Sequence, residues 1–360
     1  MNLILSNVRV KEERLGDFRA QRASLLRGKQ RLEELCIKYG KMTVLTACSE
    51  LMNLSEQAFR DQIIKFNFPK TRIEFEDYLD SNGITDTPIK IKVSLVQKNG
   101  KIKVSFKGTD PQQLGNVNTP RSVTYSCVYY VFRSLTDQTI MTNAGLFRNI
   151  DIEIPDGSLL DPQPPAAVSS GNVETSQRIV DVLLGALSQV IPEIPAASQG
   201  TMNNVTIGGF DIFGNPFSYY ETIGGGAGAG KNYVGLSAVH VHMTNTRNTP
   251  IEAFELAYPL RILKYEIRKD SGGKGSLKGG DGIIREIECL VNSTISLQTE
   301  RRIFEPFGLH GGENGSKGVN MKKTIEGKEV ILPGRFISKF VSGEKLIIKT
   351  PGGGGYGRNS

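Results

Sequence analysis

The order of apolar and polar positions divides the chain into three stretches. The first 68 residues contain no proline, and from Leu15 an apolar seam recurs at helical spacing through Phe18, Leu25, Leu32, Cys36 and Tyr39, interrupted by Arg22 and Lys29. That spacing predicts a long amphipathic helix. Gly40 breaks it, and Val44, Ala47, Leu51, Leu54 and Ala58 restart the pattern, which predicts an antiparallel helical hairpin over residues 1–70. A terminal hairpin of this kind commonly docks on something else.

From Arg72 the period changes to two. Ile89, Ile91, Val93 and Leu95 alternate with Lys90, Lys92 and Ser94, and Asn99-Gly100 turns the chain into Ile102, Val104 and Phe106, again alternating with lysines. This predicts a β-hairpin in an antiparallel sheet with one solvated face. Residues 122–135 and 175–190 read as helices, the second with Ile179, Val182, Leu183, Ala186 and Val190 on its apolar side and Thr175 placed to cap it. Residues 71–220 are therefore a mixed α+β region. Beyond residue 220 lie 25 of the 40 glycines, among short β-like segments such as 283–290 and 345–350. Residues 221–360 are expected to be mostly β with tight turns, packed against the preceding region, and 351–357 to end the chain as a flexible tail. The fold class is α+β.

Composition adds exclusions. No run of 18 apolar residues is present, and the opening Met1-Asn2-Leu3-Ile4-Leu5-Ser6-Asn7 meets charge at Arg9, too soon for a secretory segment. A cytoplasmic protein with no membrane partner is expected. The formal charge of +7 is dispersed instead of gathered in basic blocks with interleaved aromatics, which argues against nucleic acid. Cys36, Cys48, Cys127 and Cys289 form no C-x-x-C pair, so they read as buried small hydrophobes and not as a disulfide framework or a zinc site.

Several motifs carry possible chemistry. Gly225-x-x-x-x-Gly230-Lys231 approaches a phosphate loop, but Asn232 stands where a hydroxyl would hold magnesium, and Tyr233 to Thr244 alternates like a strand instead of opening a helix. The better reading is a glycine loop that lets backbone approach a neighbouring chain or a small substrate. On that predicted strand His240 and His242 share a face, which is half of a metal site; His310 is remote in sequence. Residues 171–178 and 198–204 place amides, Glu174 and Arg178 at both ends of one helix, where they can hold an anionic or amide-bearing ligand, or simply form caps and a buried polar network. Residues 243–250 pose the same choice.

These segments resemble the hydantoinase B/oxoprolinase family: Gly171-Asn172-Val173-Glu174-Thr175-Ser176-Gln177-Arg178, Gly200-Thr201-Met202-Asn203-Asn204, Tyr220-Glu221-Thr222 with Gly224-Gly225-Gly226, and His242-Met243-Thr244-Asn245-Thr246-Arg247-Asn248-Thr249-Pro250. The likeness continues through Tyr258-Pro259-Leu260-Arg261, Asp270-Ser271-Gly272-Gly273, Glu300-Arg301-Arg302 and residues 350–357, with residues 7–9 and 12–17 fitting an internal helical segment. The resemblance implies a B-type subunit that completes ATP-dependent hydrolysis of a cyclic amide with an A-type subunit that phosphorylates the amide oxygen, or else a subunit of an acetone- or acetophenone-type carboxylase. A non-catalytic scaffold or a truncated remnant is the further alternative. The metal-binding Asp and His residues that the resemblance implies would precede Met1, so this chain is expected to bind neither metal nor nucleotide alone. Divalent metal and ATP with magnesium belong to the partner polypeptides, one of them supplying the missing segment. The residues assigned to the pocket are Glu174 and Arg178 as catalytic, with Gln177, Asn203, Asn204, Arg247 and Asn248 binding substrate. By chemical type, the two arginines would hold carboxylate or phosphate, the asparagines would orient amide groups, and Glu174 would order an arginine or the partner's hydrated metal.

Overall fold

The alternation from Ile89 to Phe106 folds as the period predicts. In the computed structural model, which describes residues 1–358 apart from residues 9, 67 and 69–71, helices α1 (Asn2–Ser6), α2 (Lys11–Tyr39) and α3 (Lys41–Lys65) precede strands β1 (Ile73–Leu79), β2 (Ile89–Lys98) and β3 (Lys101–Ser105). The expected boundary at residue 70 and the Arg9 of the family-like segment lie outside the described residues. Asn99 and Gly100 both have positive φ, 54° and 74°, which matches the right-handed twist of the strands they join. β1–β2–β3 is antiparallel, and β4 (Ile150–Glu153) adds in parallel to β3. Ile89, Ile91, Val93, Leu95, Ile102, Val104 and Phe106 are all buried, while Lys101 and Lys103 face solvent.

Helix α5 (Ser176–Leu187) covers the apolar face of this sheet at β1 and β2, and α4 (Arg121–Ser134) packs on α5, both close to the predicted spans. All twelve residues of α5 are buried, so it is the central helix of the first core. Thr175 does not cap it. The residues before α5 form a π-helical turn, 171–175, and the Thr175 hydroxyl donates to the Val117 carbonyl at 2.5 Å.

The remaining strands are β5 (Asn204–Phe210), β6 (Pro216–Glu221), β7 (Leu260–Arg268), β8 (Gly282–Cys289), β9 (Ser293–Gln298), β10 (Val319–Lys323), β11 (Glu329–Leu332), β12 (Arg335–Phe340) and β13 (Lys345–Lys349), with α6 (Ile251–Ala257) before β7. They make two antiparallel sheets, β11–β10–β13–β8–β7 and β12–β9–β5–β6, which enclose a second core of Val205, Ile207, Phe254, Ile287, Ile295, Leu297 and Ile348. The first core ends at Ile194 and the second begins at Val205. The division therefore falls near residue 200 and not at 220, because β5 and β6 pair with β9 and belong to the later unit.

The helical stretch behaves unexpectedly. Gly40, at φ 83°, joins α2 directly to α3, and only Ser55, Phe59 and Ile63 of α3 are buried; α2 buries no residue. Leu25, Leu32, Leu35, Ile37, Met42, Leu45 and Leu54 stay exposed, so the predicted seam meets solvent and not a core. Cys127 and Cys289 are buried as read, whereas Cys48 is exposed and Cys36 half-buried.

The glycine-rich end is no tail. Residues 351–356 are buried, and the amides from Gly352 to Gly355 donate to three distant stretches, at the carbonyls of Ser316, Gly280, Ala197 and Glu313, at 2.8–3.1 Å. Their own carbonyls accept from Gly273, Ala229 and Leu309, and that of Pro351 accepts from Gly226. A Cβ at residue 353 would sit 2.0 Å from the Ala227 carbonyl oxygen, and one at Gly226 would sit 2.0 Å from that of Gly280. Backbones this close leave no room for a side chain. The loop at 225–230 thus approaches the chain's own backbone. Gly353→Ala is expected to cost about 3 kcal/mol or more, at the upper end of overpacking effects, while Gly28→Ala in solvent-facing α2, where a Cβ meets nothing within 4 Å, is expected to be neutral or stabilising. Thermal unfolding of the two variants checks both; similar melting temperatures would contradict the packing argument.

Candidate functional site

The polar segments around α5 converge between the two cores. Glu174, Gln177, Arg178, Asn203 and Asn204 are all buried. Glu174 leaves the π-helical turn pointing at the later unit: its Oε1 accepts from the Met202 amide at 3.2 Å and from Asn204 Nδ2 at 2.8 Å. Burial, with no cation bonded to the carboxyl, pushes its pKa up to about 8, so the group is protonated at neutral pH. Asn204 Oδ1 accepts from the Tyr220 hydroxyl at 2.6 Å, and Tyr220 is exposed. A three-group hydrogen-bonded path therefore runs from solvent to the buried carboxyl.

Arg178 lies deeper. Its guanidinium donates to Asp77 at 3.1 Å and to the Tyr78 carbonyl at 2.7 Å, with Glu300 at 3.7 Å and Asp181 at 3.9 Å. Burial works against its charge, but these carboxylates outweigh it and hold its pKa above the ordinary value. Arg301 pairs with Asp77 at 2.9 Å and Asp181 at 2.5 Å, and Arg335 of β12 pairs with Glu300 at 2.6 Å. Arg302 donates to Asn203 Oδ1 and to Asn320. The network ties β1 and α5 of the first unit to the 300–302 segment and β12 of the second. Removing one partner of such a buried set leaves an uncompensated charge, a loss of about 3–5 kcal/mol. Arg178 and Asn203 are thus engaged by the chain's own groups and have no exposed surface.

The 243–250 loop is held from below. Thr246 bonds Thr222, Asn248 Nδ2 donates to the Thr222 carbonyl, the Tyr265 hydroxyl donates to Asn248 Oδ1, and the Thr249 amide donates to Glu221. Glu221 is itself ion-paired with buried Arg285. Arg247 alone of the assigned residues is exposed, and among the described residues it makes no hydrogen bond or ion pair. Gln177 donates to the Val241 carbonyl at 3.1 Å.

The predicted strand over 233–244 is irregular backbone, held by isolated bridges such as Gly225 with Val239, and it does not put the two histidines on one face. His240 lies towards Glu221 and Asn248, whereas His242, at φ 57°, turns to Tyr130 and Asp181. Among the described residues no group of three or more His, Cys, Asp or Glu side chains is arranged to hold a metal ion. Lys231 pairs with Glu193 at 3.1 Å on the surface. No helix among the described residues is long and apolar enough to cross a membrane.

Two openings reach this network. A groove of about 810 Å³ between the start of α2 and the outer face of β5, β6 and β9 is lined by Glu13, Arg14, Thr206, Ser218, Tyr220 and Ser296, and it adjoins a recess that exposes Asn204. A second cavity, of about 620 Å³, has Tyr130 and His242 in its wall. Reading from the sequence missed Asp77, Tyr130 and Asp80, whose carboxylate accepts from the Arg302 amide at 2.7 Å, because they carry no local signal; Tyr220 stood only within the family-like Tyr220-Glu221-Thr222 run, with no role assigned. Asp181 was missed as well, although its place three residues after Arg178 on the same helix is the spacing of an ion pair.

A buried arginine–carboxylate seam between an α/β unit and a glycine-threaded β unit is the architecture of this chain, and the chain belongs to the hydantoinase B/oxoprolinase family, matching it over residues 1–359. It is 41% identical to 5-oxoprolinase 1 of Arabidopsis thaliana over 97% of this chain and 27% of that protein. It is 33% identical to a protein of a Pseudomonas species named as the B-type component of a D-/L-hydantoinase, over 99% and 62% of the two chains. The crystal structure of the ATP-dependent caprolactamase from Pseudomonas jessenii superposes with a TM-score of 0.85 at 26% identity, over 99% of this chain and 63% of that one. The chain thus spans less than two thirds of the length of each of these relatives.

The raised pKa of Glu174 has a definite sign. Between 4.5, its ordinary value, and about 8 the folded state holds a proton that the unfolded state has lost, so stability declines as pH rises through that window. Glu174→Gln mimics the protonated acid and should remove up to one proton's worth of slope, about 1.4 kcal/mol per pH unit, while Glu174→Ala destabilises at every pH. Denaturant unfolding between pH 5 and 8 checks this; an unchanged slope in Glu174→Gln would contradict a protonated carboxyl.

Proposed function

We propose that the chain acts as part of a B-type subunit in ATP-dependent hydrolysis of a cyclic amide of hydantoin or oxoproline type, in the cytoplasm, together with an A-type subunit that uses the nucleotide. The observation that carries this reading is the family match along the whole chain, joined to relatives named as oxoprolinase and hydantoinase. An amide resists attack by water; transfer of a phosphoryl group to its oxygen makes the ring carbon electrophilic and supplies a leaving group. In this reading the divalent ion that would acidify the attacking water is held by a segment matching the rest of the relatives' length, on this or another polypeptide.

Within this reading the chain supplies a rigid wall. Arg247, presented on a loop fixed at Thr246, Asn248 and Thr249, binds the anionic portion of substrate or its phosphorylated form. Glu174 accepts from Asn204 and thereby orients Asn204 and the Tyr220 hydroxyl that borders the groove. Arg178, Asn203, Gln177 and Asn248 position these groups. The apolar residues that α2 and the start of α3 leave exposed give the accompanying segment a surface to cover.

Burial of Arg178 and Asn203 against the chain's own groups favours one second reading, a scaffold that holds catalytic partners without touching substrate. Co-expression with an A-type subunit and with the segment matching the rest of the relatives' length, followed by purification of the complex, separates them. ATP hydrolysis that depends on an added ring amide and not on bicarbonate is expected, with Arg247→Ala weakening amide dependence about tenfold, the worth of one charge-assisted hydrogen bond. An intact complex whose turnover is unchanged in both Arg247→Ala and Glu174→Ala would establish the scaffold, and bicarbonate dependence would replace hydrolysis by carboxylation.

A further inference from the structure

The turn between β5 and β6 presents more apolar surface than its folding requires. Asp211, Gly214 and Asn215 make the turn: the Asp211 carboxylate accepts from the Phe213 and Asn215 amides at 2.9 and 2.8 Å and from Asn215 Nδ2 at 3.1 Å, and Gly214 supplies a positive φ of 82°. Between Asp211 and Gly214 stand Ile212 and Phe213, 79% and 82% exposed, with Phe210 beside them at 65%. The turn needs none of these three side chains. Single exposed apolar residues are ordinary, but three large ones on a turn held by this many hydrogen bonds form a preorganised knob.

A hole lies next to the knob. A cavity of about 830 Å³ opens where the β5–β6, β8–β9 and β12–β13 turns meet, lined by Phe210, Pro216, Val291, Phe340 and Val341, together with Gly208 and Gly209, which have no side chains to fill it. Bonds between two of these turns fix its rim: the Ser342 amide donates to Asn292 Oδ1 at 3.1 Å, and the Ser342 hydroxyl donates to the Leu290 carbonyl at 2.8 Å. Two unneutralised charges border it. Asp211 bonds within its own turn, and exposed Lys339 makes no ion pair among the described residues.

Phe210 and Asp211 belong to both knob and hole, so the two lie side by side on one copy. A two-fold axis between them seats each copy's knob in the other's hole and closes the assembly, whereas a remote hole would string copies into an open chain. The same rotation brings Asp211 of each copy towards Lys339 of the other, opposite charges meeting at both ends of the contact. We propose that this end of the β unit is the interface between two copies of the chain, with Ile212 and Phe213 of each filling the other's cavity.

Sedimentation velocity of the full chain is expected to show a monomer–dimer equilibrium in the micromolar range. Ile212→Asp should weaken it about thirtyfold, as loss of a central anchor does, and Lys339→Glu about fivefold. Both side chains face solvent, so melting temperatures of the monomers should stay unchanged. On a Cys48→Ser background, which removes the exposed thiol, a mixture of chains carrying Ile212→Cys with chains carrying Val341→Cys should form a disulfide between those two positions. The proposal is overturned if the chain stays monomeric, if the mixed disulfide does not form, or if Ile212→Asp leaves the dimer intact, which would place the contact on α2 and α3. Loss of A-type subunit binding in Ile212→Asp would overturn it too, by assigning the knob to that partner.

Discussion

Close contact of bare backbone around residues 352–355 is the constraint on which the rest of the molecule depends. The segment has no side chains to bury beyond Pro351 and Tyr356, yet it bonds to stretches near residues 197, 226–229, 273, 280, 309, 313 and 316. An extended strand normally satisfies its amides and carbonyls on two sides. Here they radiate to loops scattered over residues 197–316, and only glycine permits the approach. The result is a backbone hub in place of a third apolar core.

The hub fixes the loops that deliver charge. Residues 196–204 pass from it into β5 and carry Asn203 and Asn204; residues 300–309 run from β9 into it and carry Arg301 and Arg302; residues 225–242 leave it and carry His242. Each loop then meets α5, whose burial on all sides makes it the rigid reference. A buried ion-pair network has steep geometric demands, since desolvation is offset only when every partner is in place. Loops of ordinary mobility would not meet those demands, and loops bonded to one another through the hub do. The same rigidity gives His242 its left-handed backbone and holds it between Tyr130 and Asp181.

Periodicity made the regular elements legible. The Ile89–Phe106 hairpin, α4, α5, β8 and β13 follow from alternation and helical spacing, because in each the apolar face is buried by neighbours that any such face would find. Three readings went astray for one shared reason, that local pattern does not say what lies opposite. The seam of α2 is apolar at helical spacing, but among the described residues it is only half-covered at Leu15, Phe18 and Cys36 and open at Leu25 and Leu32. Residues 351–357 look like a flexible tail because glycine runs elsewhere are flexible, and here other stretches of the chain enclose them on every side. Residues 233–244 alternate like a strand, yet the hub takes their backbone bonds. For the candidate site, the two dense polar motifs are brought together at Glu174, just before α5, while Asp77, Asp80 and Tyr130 reach the network only through tertiary folding. Which of those residues meet solvent was not readable: Arg178 and Arg247 look alike in sequence, and one is sealed between two cores while the other stands clear of the surface.

Hydrogen–deuterium exchange at the amides of residues 352–355 tests the hub most directly. Because these amides are bonded to three separate parts of the fold, they can exchange only when the whole unit opens, so protection should equal that of β8 and α5 and vanish with global unfolding. Exchange at the rate of an exposed loop, with β8 and α5 still protected, would contradict the account.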